Sequence, residues 1–509
     1  MPGSANCVDP RPARVYKEVM NEIKWSAEQE AIFDWYRKGP TAGNLVVRAR
    51  AGVGKSTVTA HGLSLAPEPK SCYAVFNKKA QLEAQKKITD PRVYVTTFHS
   101  LGYRSLKKLW PKARIGTNPS EIEYRRIERA AGGQCPDEVT SELKKFISYL
   151  KNTTINPTIE QVIEIAELRQ VEADNCEHLG WTVGRLCEVA LAVLEMSKVQ
   201  ERDSVICFDD MVYLPVAMGI MKAEFPLVVV DECQDMNIPQ LEMARLACLK
   251  NGRVCVVGDD RQAIYEFRGA HQDGLNMMKT VLSANELPLT ITYRCPKNVV
   301  AIAKAYVQDY QAAPTAPEGL VDNIGPEALQ SKVAVGNVVL SRLNAPMMPL
   351  CLSLLRAGIP ARIEGRDIGR SLIALIKKFK ARSIPEYLKK VEAWGRKSKA
   401  RTAVRNDESA QALIDDQVEM LCALAEGLAG VKDIENRITS LFVDSDGNQM
   451  PSVVFSTVHK AKGMEWQRVF ILNETFKFRG GQEDNVYYVA VTRAMQHLTF
   501  VGERPAPKF

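Results

Sequence analysis

"NLVVRARAGVGKST", residues 44–57, decides the fold. Asn44 to Val47 leads with an apolar run suited to a buried strand, and Lys55-Ser56-Thr57 can open a helix. Between them, Gly52 and Gly54 permit backbone angles and a close approach that a side chain would block. Strand, glycine loop and helix in that order make a phosphate cradle, because loop N–H groups turn inward and the helix N-terminus points at the anion. The spacing Ala49-x-x-x-x-Gly54-Lys55-Ser56 departs from the strict pattern at one place, where Ala49 stands for the first glycine. Ala51, Gly52, Val53, Gly54, Lys55, Ser56 and Thr57 then surround phosphate, with Lys55 on the terminal phosphates and the Ser56 hydroxyl on Mg²⁺. The competing reading is an ordinary strand-to-helix turn that happens to contain Gly-Lys-Ser.

A phosphate cradle needs a partner acid, and "FPLVVVDECQD" (225–235) offers one. Leu227 to Val230 reads as a buried parallel strand ending in Asp231 and Glu232. Ligands of open α/β sheets bind beyond the carboxyl ends of the strands. Asp231 is therefore expected to hold Mg²⁺, and Glu232 to activate the attacking water. A third strand follows in "RVCVVGDDRQAIYEFRGA" (253–270), where Val254 to Val257 precedes a turn at Gly258. Gln262 stands beyond that strand, where an amide can sense a γ-phosphate or orient water. Tyr265 and Phe267 are aromatics in a polar loop, and Arg268 adds a cation beside them.

The 509 residues exceed what one core usually serves, so at least two core-bearing domains are expected. A 46% hydrophobic and 25% charged composition fits a globular chain. The net charge of +7 permits a polyanionic partner without requiring one. The twelve cysteines show no C-x-x-C spacing and do not cluster with the six histidines, so neither a zinc site nor a disulfide framework is expected. Cys233 and Cys255, inside apolar runs, read as small buried residues. The opening "MPGSANCVDPRPARV" has no apolar core and no run of about 18 apolar residues follows, so a cytoplasmic protein without a membrane span is expected.

"ARAGVGKST", "VVVDECQD" and "VGDDRQAIYEFRGA", in that order, resemble superfamily 1 helicases of the UvrD/Rep/PcrA type. So do "WSAEQEAI" (25–32), "AVFNKKA" (74–80), "TTFHSLG" (96–102), "LTITYRCP" (289–296), "FSTVHKAKGMEW" (455–466) and "YYVAVTRAMQHL" (487–498). The resemblance implies an α/β chain of two RecA-like parallel-sheet domains with ATP between them. It places the first domain at 1–103 and 201–288, with a helical insertion at 104–200. It places the second at 289–376 and 450–509, with a reduced insertion at 377–449. It implies that Gln29 and Tyr293 hold adenine, Lys55 and Ser56 serve phosphate and Mg²⁺, and Asp231 and Glu232 are metal acid and base. Gln262 would couple the γ-phosphate to DNA, Glu465 would touch ribose, and Arg294 and Arg493 would be arginine fingers. An arginine contributed in this way makes hydrolysis depend on conformation, which a motor requires.

Single strands are held by aromatic faces and backbone cations. The resemblance nominates Phe76, Lys79, Thr97, Phe98, His99, Tyr265, Phe267 and Arg268, with Thr457, His459 and Lys460 from the second domain. Phe76 and Phe98 adjoin apolar runs, so core packing competes with stacking. The expected activity is ATP-driven 3′→5′ translocation and unwinding by a monomer, on single-stranded DNA and its junctions with duplex, in replication or repair. The alternatives are a remodeller that never opens duplex, the opposite polarity, or an RNA motor. "SEIEYRRIERAAGG", "SELKKFISYLKN" and "TIEQVIEIAELRQ" have helical apolar spacing. "QAAPTAPEGLVDNIGPEA" (311–328) reads as a surface loop. "WGRKSKARTAVR" (394–405) reads either as a contact for duplex phosphates or as a solvated, disordered basic loop. "TFVGERPAPKF" follows the last motif, so neither the strand-separating hairpin that the resemblance would imply there nor a nuclease is expected.

Overall fold

The computed structural model describes residues 24–116, 119–169, 171, 180–199, 205–264, 274–403, 408–443, 451–476 and 482–503. They fall into two units, Met1–Leu289 and Thr290–Phe509. Each unit is built on its own parallel sheet.

In the first unit six strands run, edge to edge, Val93–Thr97, Ser71–Val75, Phe225–Val230, Cys248–Gly258, Leu45–Ala49 and Asn285–Leu289. All are parallel. Alternate residues serve opposite faces, as the two-residue strand period requires. Val46, Ala74, Val228, Val230, Val254 and Val256 pack with Leu241, Met243 and Ala244 of the helix Ile238–Ala247. Leu45, Val47, Tyr73, Val229, Cys255 and Val257 pack with Ile32, Phe33, Tyr36, Val58 and Leu63 of the helices Ala27–Arg37 and Lys55–Leu65. Burial on both faces is why these strands read as continuous apolar runs.

The helical insertion contains Pro119–Ala131, Asp137–Thr153, Ile159–Leu168 and Val183–Ser197. The first three coincide with the stretches whose apolar spacing was helical. The insertion has its own core, including Leu143, Phe146, Leu150, Leu186 and Val193. The boundary expected at 103/104 falls inside the helix Phe98–Leu109, because that helix serves two cores: Phe98 and Leu101 face the sheet, whereas Leu106 faces the insertion. A buried ion cluster adds a second tie. Lys151 and Arg126 donate to Asp210 at 2.7 and 2.8 Å and to Glu123 at 2.6 and 3.2 Å. Burial opposes ionisation of Asp210, but the two cations outweigh it and hold the carboxyl below the usual range. Cys207 lies among the same carboxylates. Because two cations already balance Glu123 and Asp210, the cluster reads as structural.

In the second unit seven parallel strands run Leu320–Ile324, Ala494–Val501, Trp466–Leu472, Val338–Ser341, Val453–Thr457, Ala361–Glu364 and Phe442–Val443. Leu320–Ile324 corrects the loop expected at 311–328. Between Gly319 and Gly325, five residues are enough to pair with 497–501 as an edge strand. The helices Arg366–Phe379, Ile384–Ala403, Glu408–Ala425 and Val431–Leu441 follow. The boundary expected at 376/377 lies within the first of them. These helices do not form a separate core: Leu372, Tyr387, Leu421 and Ile434 pack in one cluster with Val339, Ile363 and Phe455 of the sheet. The basic stretch 394–405, expected as a loop or a duplex contact, is helical through Ala403, and Arg405 lies outside the described residues. Apolar Val391 and Trp394 on one side of the helix give it a core-facing stripe. Among the described residues no helix is long and apolar enough to cross a membrane.

Candidate functional site

The strand Leu45–Ala49 delivers the chain into the glycine loop, where Gly52 and Gly54 take φ of 69° and 79°, in the left-handed region that favours glycine. Buried Val53 anchors the loop from below. The Thr57 and Val58 N–H groups close onto Gly54 O at 2.9 Å, which starts the helix at Lys55. Lys55 Nζ then lies 2.8 Å from Glu232 Oε2, and Ser56 Oγ lies 3.5 Å from Asp231 Oδ2. The loop and the two acids, 175 residues apart in sequence, therefore meet beyond the ends of two strands that flank Cys248–Gly258 in the sheet.

The acids are held closely. Asp231 N–H donates to Ala74 O at 3.1 Å, so the carboxylate leaves the sheet at its last rung. Glu232 has φ of 53°, a left-handed angle that costs a non-glycine residue energy and occurs most at functional sites. Gln234, to which sequence reasoning assigned no part, bridges two strands. Its amide donates to Glu232 Oε2 at 2.6 Å, and its carbonyl accepts from Asp259 N–H at 2.9 Å. Asp259 Oδ2 in turn accepts from Gln262 Nε2 at 2.7 Å. A chain of hydrogen bonds thus links Glu232 to Gln262. Arg50, from the loop itself, donates to Asp260 at 2.7 Å and to Asp259 at 3.3 Å, fixing the loop to the third strand end.

The site is electrostatically loaded. Burial and the neighbouring Glu232 raise the Asp231 carboxyl, against Lys55 and a hydrogen bond from Tyr73. Burial alone would lower Lys55, but Glu232, Asp231 and Asp259 outweigh it and raise the ammonium. A hydroxyl and a carboxylate beside a second carboxylate are hard oxygen donors of the kind Mg²⁺ takes, and a divalent cation would relieve the repulsion between the two acids. The residues present therefore fit the metal.

The other nominated nucleotide contacts are more engaged than expected. Gln29 is buried in a capping box: its Oε1 accepts from Ser26 N–H at 2.9 Å, and its own N–H donates to Ser26 Oγ at 3.3 Å. In the second unit, Arg294 and Glu465, nominated for different parts of a nucleotide, pair with each other at 2.5 Å. Arg493 is buried, with donors on Val489 O, Met464 O and Thr492 Oγ1 at 2.9, 3.0 and 3.2 Å. Burial, reinforced by the charge of Arg294, brings its guanidinium down to about 10. Tyr293 is half exposed beside them.

The nucleic-acid candidates divide. Lys79 is exposed and Phe76 is half-buried against the sheet core. Phe98 is a correction: it is fully buried, because the first residue of its helix points into the sheet, and no face is open to a base. Thr97 is also buried and caps that helix through Ser100 N–H. His99 stacks on Phe208 with ring centroids 4.0 Å apart, while Phe208 itself is 54% exposed. Sequence reasoning missed Phe208, although an aromatic directly before Asp209-Asp210 in "VICFDD" was a usable signal. In the second unit Thr457 is buried and His459 and Lys460 are half-buried. Tyr265, Phe267 and Arg268 lie outside the described residues.

A glycine loop with Lys55 and Ser56 facing two carboxylates at the ends of parallel strands defines a phosphate-loop nucleotide-binding unit, and a second parallel sheet makes the chain a pair of RecA-like folds. Residues 35–282 match the UvrD/REP helicase N-terminal domain, and residues 452–501 match the UvrD-like helicase C-terminal domain. The chain belongs to the UvrD-like helicase family. It is 27% identical over 298 residues to the ATP-dependent DNA helicase PcrA of Staphylococcus aureus (strain NCTC 8325 / PS 47), covering 53% of this chain and 38% of that protein. It is 24% identical over 294 residues to DNA helicase II of Escherichia coli (strain K12), covering 52% of this chain and 38% of that protein. The match therefore spans well under half the length of these relatives.

Proposed function

We propose that this chain is an ATP-driven single-stranded DNA translocase and 3′→5′ helicase. The observation that carries the reading is the convergence of Lys55, Ser56, Asp231, Glu232 and, through Gln234 and Asp259, Gln262. The residues 1–103 and 201–288 form the ATP-binding domain, with 104–200 its insertion, and 289–376 and 450–509 form the second RecA-like domain around the insertion 377–449. Lys55 binds the terminal phosphates, and Ser56 and Asp231 hold Mg²⁺, which supplies charge neutralisation. Glu232 takes the proton of the attacking water, and Gln262 reports on the γ-phosphate. Arg294 and Arg493 contribute cationic stabilisation of the transferring phosphoryl group. Gln29 and Tyr293 flank adenine, and Glu465 binds ribose once released from Arg294.

DNA contacts include Phe76, Lys79, His99, His459 and Lys460, and we add Phe208. The duplex side falls to the helices after residue 366. Residues 366–405 carry thirteen Lys and Arg against three Asp and Glu, a larger excess than that of the whole chain. Lys378, Lys380, Arg382, Lys389, Arg396 and Lys397 are exposed there, and no described aromatic in the segment is exposed. Cations without stacking partners suit a double-helical backbone better than a single strand.

Strand displacement from duplexes with a 3′ or a 5′ single-stranded tail tests the proposal. ATP-dependent opening of the 3′-tailed substrate alone is expected. Opening of the 5′-tailed substrate alone would reverse the polarity. Opening of neither, with DNA-stimulated ATP hydrolysis intact, would make the chain a translocase or remodeller.

A further inference from the structure

One polar group at the nucleotide site, the Tyr73 phenol, belongs to none of the loop, the acids and the sensor. Tyr73 lies in the middle of the strand Ser71–Val75, paired with Val229 of the neighbouring strand, two residues before Asp231. Its ring packs in the apolar face beneath the phosphate loop with Val53 and Val58, and the residue is 1% exposed. A tyrosine so deep in a core normally finds a partner for its hydroxyl. Here that partner is Asp231: the phenol donates to Oδ2 at 2.5 Å. The other carboxylate oxygen, Oδ1, accepts from Glu232 N–H at 2.9 Å. A donor on each oxygen restrains rotation of the carboxylate plane, and Oδ2 is the oxygen bonded to Ser56 Oγ. A phenylalanine would fill the same apolar space, so packing alone does not account for the hydroxyl.

We propose that Tyr73 is a positioning residue for the divalent metal, acting through Asp231. It fixes the direction in which Asp231 Oδ2 meets the Ser56 hydroxyl, so that the two oxygens are set before the cation arrives. Hydrogen-bond partners of metal-binding carboxylates and histidines typically change metal affinity about 10–100-fold when removed. The inference rests on the nucleotide reading of this site but adds a residue that the glycine-loop and acid motifs do not contain, since Tyr73 belongs to neither.

The test is the binding of a fluorescent ATP analogue to wild type and Tyr73→Phe, titrated with Mg²⁺ and repeated in EDTA. The expected result is a roughly tenfold rise in the Mg²⁺ concentration needed for half-maximal binding. The metal-free affinity in EDTA should stay unchanged, which also reports an intact fold. In an Asp231→Asn background Tyr73→Phe should have no further effect. Tyr36→Phe removes a second buried phenol from the same apolar face and is expected to leave the Mg²⁺ titration alone. A Mg²⁺ requirement for Tyr73→Phe within twofold of wild type would overturn the proposal, as would an equal shift in Tyr36→Phe. If wild type bound the analogue with no dependence on Mg²⁺, the metal reading of the whole site would fall, and this inference with it.

Discussion

Two corners of the molecule, one in each unit, are built to one pattern. The strand Val93–Thr97 runs into Phe98-His99, and the strand Val453–Thr457 runs into Val458-His459. In both, the hydroxyl two residues before the apolar position bends onto the next carbonyl: Thr96 Oγ1 onto Thr97 O and Ser456 Oγ onto Thr457 O, each at 3.2 Å. In both, the apolar residue is fully buried and the histidine after it is half-buried. The corners differ in what surrounds them. The first continues into a twelve-residue helix and stacks His99 on Phe208, whereas the second makes a four-residue turn of helix and offers Lys460. The groups we propose for nucleotide chemistry diverge further. The first unit presents Lys55 against Asp231 and Glu232, and the second presents Arg294 and Arg493, each held by its own unit's oxygens. One scaffold therefore carries two kinds of equipment: a metal-ready acid site, and a pair of cations in reserve.

If that division of labour is right, the largest effects come from the cations. Arg493→Ala and Arg294→Ala should each lower kcat for ATP hydrolysis by about 10³–10⁵ while leaving ATP affinity close to wild type. Steady-state kinetics alongside equilibrium binding separates the two, and a loss confined to affinity would break the contrast between the units. Next, the matched corners make Phe98 a core residue, not a stacking one. Phe98→Ala should cost about 3–5 kcal/mol of stability in denaturant unfolding. A variant of unchanged stability but weakened DNA binding would show that the first corner opens in a way the second does not.

The stacked histidine gives a smaller, pH-dependent effect. Burial lowers His99 to about 4, so the folded protein resists a proton that the unfolded chain accepts. Stability that is present above the unfolded value near 6.5 is lost as pH falls toward 4, because the unfolded state then binds more protons. The loss should reach at most about 3 kcal/mol, and His99→Gln should flatten that part of the pH–stability curve. The smallest effect belongs to Phe208. Phe208→Ala should weaken single-strand binding by about 1–3 kcal/mol, measured by titration with a labelled oligonucleotide. An unchanged affinity would leave the first corner with no stacking face.

Much of this was legible in the sequence, for physical reasons that also mark where legibility stopped. The glycine loop and the acid pair were readable because a phosphate cradle restricts residue types at fixed spacing. The strands beneath them were readable because burial on two faces leaves continuous apolar runs. Phe98 was misread: a helix-opening aromatic looks the same whether it faces solvent or core, although comparison with Val458 would have shown its direction. The edge strand Leu320–Ile324 lay between glycines and was too short to show alternation. The basic segment 394–405 suggested a loop by charge, and its helicity rests on the sparse stripe of Tyr387, Val391 and Trp394. Tyr73 and Gln234 were invisible as partners because their roles depend on bonds between strands distant in sequence.

The most direct single measurement is the rate of ATP hydrolysis by the purified chain with and without single-stranded DNA, beside Lys55→Ala and Glu232→Gln. The expected result is Mg²⁺-dependent turnover that rises severalfold with single-stranded DNA. Both variants should be inactive, and Glu232→Gln should still bind ATP. Hydrolysis that ignores DNA, or that survives Glu232→Gln at the wild-type rate, would contradict the reading of this chain as a DNA-coupled motor.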